Sequence, residues 1–267
     1  MTRIYVCTTI VVVCALLYYI SFKEGFQGGD EVGFIVTRCV RKKAHNKQYR
    51  ECYEAIRKFH PDLKIIFIDS SDKDVLEEYP MENIEVIQSE YPKGGEYSPY
   101  WYLLERKMFK KAIIMQDSMI VNTRIPYESV DDYKFVYEFT PDRNDLNEVA
   151  TLISTSSKPN ELQTLYESNE WVGCFGCTMI VTADFLQRVE DTVGITAWSA
   201  IINTKEMRMG LERGIALACI FTKGYSKENS LFGSIYDTQS VKYVSGITEE
   251  QKLSLTDPVL KIWNGRL

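Results

Sequence analysis

Two carboxylates stand where chemistry is most readily placed. Asp117 directly follows an apolar run, in Ala112-Ile-Ile-Met-Gln-Asp-Ser-Met-Ile-Val121. A carboxylate at such a strand tip either binds a cation or a ligand hydroxyl, or caps the next turn. Asp69 ends a second apolar run, KIIFID. There, contact with a ribose or base competes with an Asx turn, in which the side chain bonds its own backbone two residues on.

Other standard chemistries lack material. No GxGxxG follows the first apolar run, and no GxxxxGK[ST] or GxSxG occurs anywhere, which removes the dinucleotide, P-loop and hydrolase-elbow readings. Only two histidines exist, His45 and His60. His60 precedes Pro61 at the end of an amphipathic stretch, where a helix-end role is expected. Of the seven cysteines, Cys174 and Cys177 form a single CxxC with no second pair and no nearby histidine. That spacing argues against zinc and reads as two half-buried residues entering a strand. There are 31 Lys and Arg against 37 Asp and Glu, a net charge of −6, which argues against nucleic acid as the main partner.

The elements that must hold these carboxylates follow from periodicity. Residues 32–37, 64–69, 84–88 and 112–115 are continuous apolar runs separated by helical or loop crossovers, the pattern of a mostly parallel sheet covered on both faces. Residues 46–60 place Tyr49, Cys52, Tyr53, Ile56 and Phe59 on one face, and Pro61 stops the helix. Ser98-Pro99 opens another helix, with Ser98 as its cap. Residues 133–139 read as a strand, residues 177–181 as a strand feeding a helix capped by Thr182, and Leu146, Val149, Ala150 and Ile153 as a helix. Met207, Leu211, Ile215 and Ala218 mark a long helix. The expected domain is α/β with a mixed second half, over residues 32–267.

Ahead of it, residues 4–22 carry no charge. As a helix they span about 28 Å, close to the hydrocarbon thickness of a bilayer. Tyr18, Tyr19 and Phe22 suit the interface, and their bulk argues against a cleaved signal. The expectation is an anchor over residues 1–22 and a Gly-rich linker over residues 23–31. Arg3 before the span and acidic residues after it orient the N-terminus to the cytoplasm and the domain to the far side.

Ligands of open α/β sheets bind at the carboxyl ends of the strands. That rule selects Thr37, Arg38 and the Arg41-Lys42-Lys43 run, then Asp69 to Asp72, then residues 90–96, then Gln116-Asp117-Ser118. AIIMQDSMIV resembles the strand–DxD–strand segment of GT-A glycosyltransferases. Residues 173–189 resemble that family's glycine-led strand and helix on the acceptor side. Residues 207–221, with Glu212-Arg213, resemble its helix bearing an acidic residue, and residues 261–266 its closing segment near the diphosphate. SEYPKGGEYSPY, QDS, WVGCFG and KIWNGR also resemble uncharacterised glycosyltransferase-like proteins of large DNA viruses.

The resemblance implies a GT-A-like, Rossmann-type sheet and sugar transfer from a nucleotide-sugar donor to a glycan or protein acceptor. Glu212 would be the base in an inverting reaction or an acceptor contact in a retaining one. Thr37 and Asp69 would hold the nucleotide, and Asp117 the diphosphate or sugar. Arg38, Lys93, Lys261 and Arg266 would grip phosphate, with Arg41–Lys43 more readily a solvated loop. Trp171 either stacks a sugar or lies in the core. The family's manganese or magnesium meets an altered motif here. Aligned on MIV, the two aspartates fall on Gln116 and Ser118, which leaves Asp117 alone as a metal ligand. The altered motif keeps two other readings open: a non-catalytic nucleotide- or sugar-binding protein, and a structural membrane or virion protein.

Overall fold

The computed structural model describes residues 30–91, 93–141, 146–168, 170–226, 228–239 and 247–262. Ten strands alternate with seven α-helices among them. The strands are β1 Asp30–Arg38, β2 Lys64–Asp69, β3 Ile84–Gln88, β4 Phe109–Gln116, β5 Met119–Val121, β6 Tyr133–Phe135, β7 Glu138–Phe139, β8 Gly173–Cys174, β9 Met179–Thr182 and β10 Val259–Lys261. The helices are α1 Asn46–Phe59, α2 Ser98–Arg106, α3 Leu146–Thr155, α4 Pro159–Ser168, α5 Ala183–Val193, α6 Lys205–Lys223 and α7 Glu249–Ser254.

Six strands form the central sheet, in the order β3-β2-β1-β4-β9-β6. The first four run parallel; β9 lies antiparallel to both β4 and β6. Alternation along β1 explains why its apolar run is continuous. Phe34 and Val36 enter the core beneath α1, while Ile35 enters the one beneath α2, α5 and α6. Both faces are covered, so every position must be apolar.

Several expectations are corrected. Ser98 does not cap α2: a 3-10 turn over Gly95–Tyr97 runs directly into that helix, and Tyr97 is its boundary residue. The apolar run over residues 133–139 is two strands. After Phe135 the chain crosses partners: Val136 donates to Thr178 O at 2.9 Å, and Glu138 then pairs with Cys174. A continuous apolar run carries no mark of such a switch. Cys177 is in a turn with φ +52, not in β9, and both Cys174 and Cys177 are buried free thiols rather than half-buried ones. Thr182 does cap α5, accepting the Phe185 amide at 3.2 Å. His60 closes α1 and is buried, and its Nε2 accepts the Ile125 amide at 3.0 Å. Burial pushes its pKa down to about 4, which makes it a neutral structural acceptor. Among the described residues no helix is long and apolar enough to cross a membrane; the expected anchor over residues 4–22 lies outside them.

Candidate functional site

From β1 the sheet grows through β2 and β3 on one side and through β4 on the other. The gap between β1 and β4 is therefore the point where strand order reverses, and in such sheets ligands bind in that crevice. Asp117 spans it. Its amide donates to Thr37 O at 3.0 Å, and its Oδ2 accepts the Cys39 amide at 3.0 Å. Asp117 is only 3% exposed. Thr37 faces β4, with Oγ1 3.5 Å from Met115 O.

One strand over, Arg38 and Asp69 engage each other. Arg38 Nε donates to Asp69 Oδ1 at 3.1 Å and Nη2 to Oδ2 at 2.9 Å, with both residues buried. The guanidinium lies over the rings of Tyr49 and Phe67, about 5 Å from each centroid. Asp69 also accepts the Ser71 amide at 3.1 Å, the Asx turn that stood as one of the two readings of its position. Burial alone would raise the Asp69 pKa, but the Arg38 and Ser71 bonds together hold it below the ordinary carboxylate value. Arg38 is thus committed to a carboxylate rather than presented as a phosphate clamp. A groove of about 640 Å³ opens beside the pair, with Arg38, Tyr49, Lys73, Tyr79 and Met81 in its lining. A smaller one, about 360 Å³ and lined by Asp30, Asp62, Lys64 and Tyr127, lies at the opposite ends of the strands, where β1 and β2 begin.

A polar cluster surrounds Gln116. Its Nε2 donates to Gly176 O at 2.8 Å, with Glu96 Oε1 at 3.5 Å. Its Oε1 accepts from Lys261 Nζ and from Ser118 Oγ, the latter at 3.3 Å. Lys261 Nζ also donates to Ser118 Oγ at 2.8 Å. The lysine is held there by backbone: β10 pairs antiparallel with β5, placing Lys261 opposite Met119, and the Ile262 amide donates to Ser118 O at 2.8 Å.

Gly176 links this cluster to α6. Its amide donates to Glu212 Oε1 at 2.8 Å. The turn is left-handed, with φ +62 at Gly176 and +52 at Cys177. Glycine accepts that conformation without strain, whereas the cysteine after it does not. Glu212 keeps intermediate exposure, yet it lies deep enough for burial to dominate its titration. Burial raises its pKa to about 7. The Gly176 amide, Arg213 and Lys261 oppose that rise, and the charge of Glu96 adds to it. Glu96 in turn lies 3.2 Å from Arg208 Nε. Arg208 also donates to Lys93 O at 3.0 Å and so holds the loop carrying Glu96.

Of the residues expected at the site, Glu212 and Lys261 therefore meet through Gln116. Asp117 adjoins them at the strand tip, and Thr37, Arg38 and Asp69 line the next strand ends. Lys93 enters through its carbonyl, with its side chain exposed. Arg41 to Lys43 are exposed, as a solvated loop should be. Trp171 is 1% exposed and donates to Tyr166 O at 3.0 Å, so it is a core residue and not a stacking platform. Arg266 lies outside the described residues. Among the described residues no group of three or more His, Cys, Asp or Glu could hold a metal ion.

No protein-family model matches the sequence, and no curated protein matches it. Solved structures do show likeness. The galactosyltransferase LgtC, in complex with donor and acceptor sugar analogs, aligns at a TM-score of 0.40 and 9% identity, over 68% of this chain and 70% of that one. The mannosyltransferase Ktr4p from S. cerevisiae aligns at 0.43 and 9%, over 75% and 67%. The bifunctional WbbM aligns at 0.40 and 11%, over 85% of this chain and 42% of its own. Likeness at these scores leaves the functional reading to the site's own residues.

Sequence reasoning reached Glu96 only as one of residues 90–96, and it missed Arg208 and Gly176. The Gly94-Gly95 pair before Glu96 and the glycine after Phe175 were the available signals. Both mark left-handed turns with little room for a side chain: a Cβ on Gly95 would lie 2.5 Å from Arg208 Cδ, and one on Gly176 3.0 Å from Gln116 Nε2. What the cluster can do follows from its charges. A carboxyl with a pKa near neutrality can take up a proton, and an ammonium close by can bind an anion.

Proposed function

We propose that this protein transfers a sugar from a nucleotide-sugar donor to an acceptor hydroxyl, on a GT-A-like fold. The observation that carries the reading is the Gln116 hub, which ties Lys261 to Gly176 and through it to Glu212. A cation and a poised carboxyl thereby share one end of the sheet, at the crevice where ligands of such sheets bind. The order of motifs in the sequence supports the same reading.

In the inverting form, Glu212 accepts the proton of the acceptor hydroxyl. The acceptor oxygen bonds the anomeric carbon, the bond from that carbon to the diphosphate oxygen breaks, and the nucleoside diphosphate leaves with the electron pair. In the retaining form, Glu212 orients the acceptor. Lys261 neutralises charge on the leaving diphosphate in either case. Manganese or magnesium would supply the same neutralisation if one were bound; of residues 116–118 Asp117 alone is a carboxylate, and it is buried with its Oδ2 accepting the Cys39 amide. Residues 4–22 would anchor the domain in a membrane, which pelleting of the full-length chain after alkaline carbonate extraction would support and release into the supernatant would refute.

The test is release of nucleoside diphosphate from a panel of nucleotide sugars by the full-length protein. Turnover of at least one donor is expected. Diphosphate binding with no turnover across the panel would instead favour a nucleotide- or sugar-binding protein, the reading that the altered Gln116-Asp117-Ser118 tip keeps in play.

A further inference from the structure

We propose that the Lys261 ammonium stands in for a divalent cation, so that this site grips a diphosphate without metal. The inference rests on the donor-site reading above and deepens it. A divalent ion bridging a diphosphate draws on hard oxygen ligands, and magnesium sites of this kind normally include one or two carboxylates. The two side chains that face each other at the strand tip are neutral instead: the Gln116 amide and the Ser118 hydroxyl, 3.3 Å apart. The tip's own carboxylate, Asp117, accepts the Cys39 amide across the β1–β4 gap and is nearly inaccessible. This donor set does not fit a divalent ion.

The same two oxygens both accept from Lys261 Nζ. The ammonium sits where an ion ligated by residues 116 and 118 would sit, and a second cation there would meet it at contact distance, where like charges repel most strongly. Nor is the lysine a flexible surface arm that happens to fold in. Its backbone is fixed by the β5–β10 ladder and by the Ile262 bond to Ser118 O. Both of these acceptors are uncharged, so neither cancels the ammonium's charge, and the Glu212 carboxyl lies close enough to feel it. In a protein with net charge −6, such a fixed positive point is what a diphosphate requires. Lysine binds phosphate as a compact point charge through charge-assisted hydrogen bonds.

Calorimetric titration of the full-length protein with inorganic pyrophosphate tests this directly. Binding is expected with the same affinity, within about twofold, in excess chelator and in excess magnesium or manganese. Lys261→Met should weaken it about tenfold or more, roughly 1.4 kcal/mol per decade, and Lys261→Arg should restore most of it. The conservative variant and the chelator comparison keep the test sound if Lys261→Met fails to fold. Affinity that collapses in chelator and returns with metal overturns the inference while leaving the transferase reading intact. Metal-independent binding unchanged in a folded Lys261→Met overturns it as well, by placing the phosphate grip elsewhere. No pyrophosphate binding under any condition overturns both this inference and the donor site on which it rests.

Discussion

Glu212 makes the sharpest prediction of any single residue. Its carboxyl is raised to about 7 in the folded protein from an ordinary 4.5, chiefly by burial. Between those two values the folded state keeps a proton that the unfolded chain has released. Stability should therefore fall as pH rises through that window and level off above it, by about 3 kcal/mol at most from this group. Glu212→Gln should remove this dependence, so the variant gains stability relative to the parent at pH 8 compared with pH 5. Urea midpoints at the two values measure it, and parallel pH profiles would refute the assignment. As a base, Glu212 works only when deprotonated, so turnover should rise through about pH 7 and drop about 10²- to 10⁴-fold in the glutamine variant. Glu212 and Lys261 were legible in the sequence only through the order of motifs around them, and Asp117 through its place after an apolar strand. Gln116 registered there merely as a missing aspartate. A neutral amide carries no charge signal, and only coordinates reveal that it joins a lysine to a glycine turn. Trp171 was open between two readings, since an aromatic near a glycine looks alike in sequence whether it stacks on a ligand or fills a core; its burial decides for the core.

Among the elements, the left-handed turn after β8 decides whether α6 meets the strand tip. Gly176 presents its amide to Glu212 and its carbonyl to Gln116. Gly176→Ala forces a side chain into a left-handed backbone with its Cβ only 3.0 Å from Gln116 Nε2, a cost of about 1–2 kcal/mol. Gly194→Ala is the control: it has φ +73 at the end of α5 and crowds only Ser157. Melting temperatures of the two variants should fall comparably, while donor turnover falls selectively in Gly176→Ala. Equal losses of turnover in both would show that the turn has no special role. The regular elements were readable. Strands β2 and β3 have the boundaries that their apolar runs give, and α1 ends at Phe59, one residue short of the expected 46–60 and ahead of Pro61. The breaks were not. The split between β6 and β7, the 3-10 entry to α2 and the turn at Cys177 all arise where the chain changes partner, which is a tertiary choice that local periodicity does not encode.

For the whole molecule, sheet order matters most. Four parallel strands in the order β3-β2-β1-β4 put the reversal point between β1 and β4, and every polar contact of Asp117 described above crosses or adjoins that gap. The C-terminal strand β10 then returns from far along the chain to place Lys261 on the same tip. A protein with an overall negative charge must draw an anionic donor to this cationic point, so binding should weaken as salt screens it. The parallel sheet was legible from four continuous apolar runs; the return of β10 was not, because three residues of strand give too short a signal. The most direct measurement is the structure of this protein with a nucleoside diphosphate bound. The expected result places phosphate oxygens within hydrogen-bonding distance, about 3 Å, of Lys261 Nζ, with the Glu212 carboxyl facing the site where the sugar would lie. Phosphates seated in the groove beside Arg38 and Lys73, with Lys261 still clasped between Gln116 and Ser118, would contradict it.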